Sequence, residues 1–145
     1  MALVNKSVLV GYSAQQMFDL VEKVEDYPKF LPWCGGSEVK SRQANHMVAR
    51  IDIDYMHIKQ HFTTENTHQP PDLIQMRLVD GPFKLLNGEW RFKELNAEAC
   101  RIDFMLQYEF SNKLLEAVLG PVFNYIANSF VEAFIKRAEQ VYGGT

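Results

Sequence analysis

The sequence contains little cysteine: Cys34 and Cys100 lie far apart and form no CxxC pattern. This usage is typical of a reduced compartment and argues against a disulfide framework. A chain of 145 residues can bury roughly 68% of its unfolded surface, so neither a disulfide nor a metal is needed for stability. We therefore predict one domain over residues 1–145.

An excess of positive charge is also missing, because 15 Lys and Arg residues stand against 18 Asp and Glu residues. A broad nucleic-acid footprint needs a basic face, so we expect no DNA partner. The alternative is a modest basic face on neighbouring strands. It would be formed by side chains that are predicted to point outward: Arg77, Lys84, Arg91, Lys93 and Arg101. The acidic residues between them favour an ordinary mixed-charge surface.

No targeting segment is visible, since residues 1–6 form neither a long apolar run nor an Arg- and Ser-rich amphipathic helix. We therefore expect a bacterial cytoplasmic protein, with peripheral contact to the inner membrane left open. The longest apolar stretch, residues 117–135, carries Asn124, Asn128 and Glu132 at steps of four. Because polar groups are costly in lipid, this stretch predicts an amphipathic helix rather than a membrane span.

Motifs for catalysis and metal binding are weak. His57 and His61 lie in a segment of period two, residues 56–65, where four residues span roughly 13 Å, so they are predicted to be solvated and unable to share a metal. Cys34 has no identifiable basic partner that would activate its thiol. No glycine-rich loop follows a strand and opens a helix. We expect no catalytic residue, no metal and no cofactor, and hence no enzyme.

Aromatic residues are plentiful, with ten Phe, six Tyr and two Trp. Residues 3–10 predict a first strand, and residues 37–110 alternate apolar and polar side chains with a period of two. The clearest alternation runs from Cys100 to Phe110, with every second residue apolar. Such a pattern is typical of an antiparallel sheet with one wet face.

Helices are predicted on both sides of these strands. Ser13 stands three residues before Gln16, which is a capping-box signature, and a short helical turn is expected in residues 26–36. A long helix is expected from Ser111 or Asn112 to about Tyr142, with a kink or restart at Gly120-Pro121. The fold class is therefore α+β: about six to seven antiparallel strands, curved around a long C-terminal helix, with two short helices after the first strand.

Four short motifs, in this order, carry a family resemblance: Tyr27-Pro28-Lys29-Phe30-Leu31-Pro32-Trp33-Cys34, Asp80-Gly81-Pro82-Phe83, Trp90-Arg91-Phe92 and Gly120-Pro121-Val122-Phe123. The sequence resembles the coenzyme Q-binding and RatA-like family of the START-like, helix-grip superfamily, which includes polyketide cyclases and dehydrases. This resemblance implies a cavity for ubiquinone or a related polyprenyl lipid, in support of respiration. It also implies an alternative, a ribosome-association toxin that binds the large ribosomal subunit and inhibits subunit joining and translation initiation.

Apolar side chains predicted to face inward are the candidate lining of this cavity: Tyr27, Phe30, Leu31, Trp33, Trp90, Phe92, Phe104, Leu106, Tyr108, Phe123, Ile126 and Phe130. About half of them could equally be plain core. Tyr hydroxyls and Trp N–H groups among them are suited to meet quinone carbonyl oxygens, because buried polar handles usually find a partner. Phe83, Leu85 and Leu86 are a candidate gate or membrane-touching tip, or else a hairpin end that packs on the helix. A third interpretation, a cyclase or hydrolase, would require an acid–base pair inside the cavity.

Overall fold

The computed structural model describes residues 2–143. Seven strands form one antiparallel sheet in the order β1-β7-β6-β5-β4-β3-β2. Their bounds are β1 Ala2–Val10, β2 Cys34–Gln43, β3 His46–Tyr55, β4 Ile58–Gln69, β5 Leu73–Asp80, β6 Phe83–Asn96 and β7 Ala99–Phe110. The sheet curves around the C-terminal helix, so the predicted α+β helix-grip fold is confirmed.

Short helices connect β1 to β2. They are α1 Ala14–Glu22, a 3₁₀ turn at Val24–Asp26, and α2 Tyr27–Phe30. The predicted capping box begins α1: Gln16 N donates to Ser13 Oγ at 3.1 Å, and Ser13 N donates to Gln16 Oε1 at 2.9 Å. Two N–H groups that lack a partner within the helix are thereby satisfied.

The period-two alternation decides which face of the sheet is buried. In β7, Cys100, Ile102 and Phe104 are buried, while Arg101 between them is exposed. Each large apolar side chain removed from water contributes roughly 1.5–3 kcal/mol, so a one-residue shift in register would lose this contribution along the whole strand. The buried face lies toward the C-terminal helix.

The C-terminal helix, α3 Lys113–Tyr142, begins at Asn112, whose Oδ1 accepts a hydrogen bond from Leu115 N at 2.9 Å. A kink or restart was expected at Gly120-Pro121; the helix does not restart there, since α3 continues through Pro121 as one helix, and the kink stays a prediction. Proline has no N–H to donate to the carbonyl four residues earlier. That carbonyl belongs to Ala117, an exposed residue, so solvent can satisfy it.

By length and composition α3 could cross a membrane, and its most apolar window is 33% buried. A core helix passes the same test of length and composition. The buried side chains of α3 recur at helical spacing and face the sheet: Leu119, Phe123, Ile126, Ala127, Val131, Phe134 and Ala138. In this structure α3 is therefore the central core helix.

The cap of α3 provides a test of this helix assignment. Replacing Asn112 with Ala removes the acceptor for Leu115 N, and we expect a loss of about 1 kcal/mol in the free energy of unfolding. Lys136→Ala, at an exposed position on the same helix, should change it by less than about 0.5 kcal/mol. Urea unfolding followed by circular dichroism measures both, and equal stability of the two variants would contradict the capping role.

A candidate apolar ligand cavity

An apolar cavity of about 60 Å³ lies between the sheet and α3. Its floor is the buried face of β3 to β7, its roof is α3, and one end is closed by the segment around α2. The lining residues are Val24, Tyr27, Trp33, Ala49, Ile51, Phe62, Thr64, Asn66, Met76, Leu86, Phe104, Leu106, Phe123, Ile126, Ala127 and Phe130. Nearly all are apolar, as in most small-molecule sites.

Phenylalanines of α3 pack against the sheet in two clusters of rings, and the buried Phe134 also contacts Trp90 of β6 at 5.3 Å. Phe130 packs among the rings of Tyr27, Trp33, Trp90, Phe104 and Phe134, with centroids 5.1–6.3 Å apart. Phe123 packs among those of Phe62, Phe83, Tyr108 and Phe110, at 4.7–6.2 Å. These separations are typical of favourable aromatic pairs.

The cavity lies where the side chains between these two clusters are small. Phe123 and Phe130 are two helical turns apart, or about 10.5 Å along the axis. Between them α3 presents Ile126 and Ala127 to the cavity, and Ala49 of β3 lines it as well. The large rings on either side prevent the helix from moving closer to the sheet, so the space above the alanines stays open.

Several residues expected to line the cavity do so: Tyr27, Trp33, Phe104, Leu106, Phe123, Ile126 and Phe130. The others are core or surface. Trp90 and Phe92 are buried and stack on each other at 5.9 Å, Leu31 is buried in the turn after α2, and Tyr108 packs against Phe123 at 4.7 Å. Phe30 is half-buried at the surface, where the Arg137 guanidinium lies 5.2 Å from its ring centroid.

The candidate gate is part of the packed end of the sheet. Phe83 is buried and stacks on Phe110 at 5.0 Å, Leu85 is half-buried, and Leu86 lines the cavity. Phe83 also packs on α3 through Phe123 at 4.9 Å. This packing agrees with the alternative of a hairpin end packed on the helix, and a role of these residues as a gate or membrane-touching tip stays a prediction.

Sequence reasoning missed the cavity residues of β3, β4 and β5, namely Ala49, Ile51, Phe62, Thr64, Asn66 and Met76, together with Val24 and Ala127. The period-two pattern of β3 contained the signal for Ala49 and Ile51. Thr64 and Asn66 gave no such signal, because polar side chains are expected on the wet face of a sheet.

Polar groups at the cavity are few. The Tyr27 hydroxyl donates to the Val21 carbonyl at 2.6 Å, and burial raises its pKa, so the group is neutral and its proton is already engaged. Thr64 Oγ1 donates to Asn66 Oδ1 at 2.9 Å. Outside this lining but within residues 2–143, Trp90 Nε1 is buried without a hydrogen-bond partner.

The histidines differ from their predicted placement. Met56 and His57 form the turn between β3 and β4, with φ of 49° and 67°, so His57 is not in the strand that contains His61. The buried histidine is His68 of β4, which packs edge-on against Phe18 at 5.9 Å. Burial, followed by electrostatic interaction with Arg42 and His46, lowers the pKa of His68.

Other reactive groups are isolated. Burial raises the pKa of each thiol, Cys34 and Cys100, to about 11, which keeps both protonated and weakly nucleophilic at neutral pH. Within the described part of the chain, no three His, Cys, Asp or Glu side chains are grouped so that they could hold a metal ion.

The predicted basic face is exposed but mostly neutralised. Ion pairs join Arg77 to Glu65, Lys84 to Glu109, Arg91 to Glu89, and Arg101 to Asp103; Lys93 is also exposed. Positive and negative charges therefore alternate across the outer face of the sheet, as in an ordinary solvated surface.

The family model for polyketide cyclase/dehydrase and lipid transport matches residues 10–135. The chain belongs to this family. It is 47% identical over 143 residues to the ribosome association toxin RatA of Vibrio cholerae, with 99% of both chains covered. It is 32% identical over 142 residues to the mitochondrial coenzyme Q-binding protein COQ10 of Drosophila melanogaster, covering 95% of this chain and 59% of that protein. The predicted membership of the coenzyme Q-binding and RatA-like group is confirmed.

Among solved structures, the Zhui aromatase/cyclase of Streptomyces sp. R1128 superimposes with a TM-score of 0.81 at 20% identity, covering 99% of both chains. At that identity the likeness shows the fold alone. The sequence relatives are thus named as a toxin and a binding protein, whereas this structural neighbour is a cyclase.

The lowered pKa of His68 predicts a pH dependence of stability. In the unfolded chain this imidazole takes up a proton near pH 6.5, whereas in the folded protein it does so only at lower pH. Acidification from about pH 7.5 to about pH 5.5 therefore favours unfolding. In His68→Gln the loss of unfolding free energy over this range should be smaller than in the wild type.

Urea titrations at the two pH values measure this difference. His57→Asn is the matched control, because His57 is exposed and asparagine tolerates its positive φ. That variant should keep the wild-type pH dependence. If His68→Gln and the wild type had the same pH dependence, His68 would not be the cause of the loss of stability on acidification.

Proposed function

We propose that this protein binds ubiquinone or a related polyprenyl lipid in the cavity beneath α3, without transforming it and without a cofactor. The observation that carries the proposal is the apolar lining between the two ring clusters, in which Ala127 and Ala49 leave open space. An isoprene unit adds four to five apolar carbons, and burying it contributes roughly 3 kcal/mol. A few such units would give tight binding without an ionic contact.

The lining also supports binding over catalysis. The residues that line the described cavity include no carboxylate, histidine, lysine or cysteine. A cyclase or hydrolase needs a group that transfers a proton at the reacting atom. The Tyr27 hydroxyl is the one ionisable group there, and its raised pKa and its bond to Val21 make it a poor base.

Loading must enlarge the cavity, since about 60 Å³ is far below the roughly 300–1,000 Å³ of drug-sized ligand sites. Met76 is suited to this change because an unbranched thioether side chain adapts to irregular space. It lines the cavity and is half-buried. Transient contact with the inner-membrane surface would supply the lipid.

A second function, association with the large ribosomal subunit in the bacterial cytoplasm, is supported by sequence similarity. Relatives named ribosome association toxin RatA are 41–47% identical over nearly the whole chain. The cavity faces inward and the charged outer face of the sheet faces solvent, so one chain offers separate regions for a lipid and for a ribosomal surface. In this proposal residues 1–145 act as one domain in both roles.

Filling the cavity tests the first function. Ala127→Leu adds three carbons at a cavity-lining position, while Ala117→Leu makes the same change at an exposed position of the same helix. We expect Ala127→Leu to weaken quinone binding at least about tenfold, because the added side chain occupies ligand space. Ala117→Leu should bind like the wild type.

Binding is measured by quenching of tryptophan fluorescence with decylubiquinone, and circular dichroism checks that both variants are folded. Equal quinone affinity of the folded Ala127→Leu variant and the wild type would show that the ligand does not occupy this cavity.

Sucrose gradients test the second function. Overexpression of the chain should raise free ribosomal subunits at the expense of 70S particles. The folded Ala127→Leu variant should have the same effect, because its change is internal. A gradient profile unchanged by the wild-type chain would rule out the ribosomal role.

A further inference from the structure

Two polar side chains interrupt the apolar lining on one wall of the cavity. Thr64 and Asn66 lie on the inner face of β4, with exposures of 4% and 5%, and both line the cavity. Their neighbours on β3 are Ala49, opposite Thr64, and Met47, opposite Asn66. The side chains of Ala49 and Met47 are apolar, so neither offers the Asn66 amide a conventional hydrogen-bond partner. A buried asparagine in such surroundings is unfavourable unless its hydrogen bonds are completed.

The hydrogen bond between the two side chains satisfies only part of their capacity. Thr64 Oγ1 donates to Asn66 Oδ1 at 2.9 Å. An asparagine amide has two N–H donors in addition to its oxygen. Because the oxygen accepts from Thr64, the Nδ2 group is the part of the amide that remains to bind an acceptor. The threonine thereby fixes the amide in the orientation of a donor.

We propose that Thr64 and Asn66 form the head-group subsite of the cavity, where Asn66 Nδ2 donates a hydrogen bond to a carbonyl oxygen of an otherwise apolar ligand. This inference rests on the proposed lipid-binding function and deepens it. Asn66 recognises the carbonyl, and Thr64 positions the amide. The ligand class is thus an apolar molecule with a ring carbonyl, such as an oxidised quinone.

The space for a ring lies next to this pair. Asn66, Met76 and Gly88 are neighbours across β4, β5 and β6. A Cβ atom at Gly88 would be 2.5 Å from Met76 Cε, so the Met76 side chain lies over the glycine. When Met76 moves, the space that it leaves is directly beside Asn66.

The lining discriminates between chemical classes of isoprenoid. A polyprenyl phosphate would bring at least one negative charge, and the residues that line the described cavity include no cationic side chain to pair with it. A plain hydrocarbon would leave the Asn66 amide without an acceptor, which is unfavourable for a buried donor. A carbonyl-bearing ring satisfies the amide without introducing charge.

The test uses two probes with the same tail, decylubiquinone and decylbenzene, and measures displacement of diphenylhexatriene from the purified full chain. The wild-type protein should prefer decylubiquinone. In Asn66→Leu, which keeps the branched shape of the side chain but lacks the amide, the affinity for decylubiquinone should fall roughly tenfold, while that for decylbenzene should not fall.

Thr64→Val removes the hydroxyl that orients the amide and should reduce the preference for decylubiquinone in part. Thr63→Val is the matched control, because Thr63 is also buried but occupies the alternate face of β4; it should keep the wild-type preference.

Folded Asn66→Leu protein that keeps the wild-type preference, or that loses affinity for both probes equally, would overturn the subsite. Failure of the wild-type protein to bind either probe would overturn the lipid-binding function itself and the subsite with it. Binding of decylbenzene as tightly as decylubiquinone by the wild type would overturn the subsite alone.

Discussion

The packing of α3 on the concave sheet depends on two clusters of rings, one around Phe123 and one around Phe130 and Phe134. Protein interiors are close-packed, so a helix settles at the distance that its largest side chains impose. Here that distance is set at two points along the helix. The small side chain of Ala127 between them cannot reach the sheet, and the cavity follows from this difference in size.

The few polar groups near the cavity have distinct roles. Tyr27 uses its hydroxyl proton to hold the end of α1 through Val21, which is a structural role. Thr64 and Asn66 bond to each other and still leave amide donors on the cavity wall. A core that served stability alone has no need of polar side chains at these positions, because their burial carries a desolvation cost that apolar residues avoid. This is why the pair points to ligand recognition.

Local patterns in the sequence predicted much of the fold. The alternation from Cys100 to Phe110 and the cap at Ser13 depend on near neighbours and were found correctly. The turn at Met56 and His57 was missed because neither residue belongs to the types that mark a turn in sequence, which are Gly, Pro, Asn, Asp and Ser. The cavity lining was harder to predict from the sequence. Alternation shows that Trp90 and Ala49 both face inward, but only the packing of distant elements decides which of the two borders the cavity.

The lipid and ribosomal roles place different demands on one chain, and the apolar cavity beneath α3 is the feature that an interaction surface alone would not require. The most direct measurement is therefore mass spectrometry of lipids extracted from the protein purified from its native host without detergent. We predict a quinone-type isoprenoid in an amount approaching one molecule per chain. Protein that is folded and yields no quinone or other isoprenoid lipid would contradict the account.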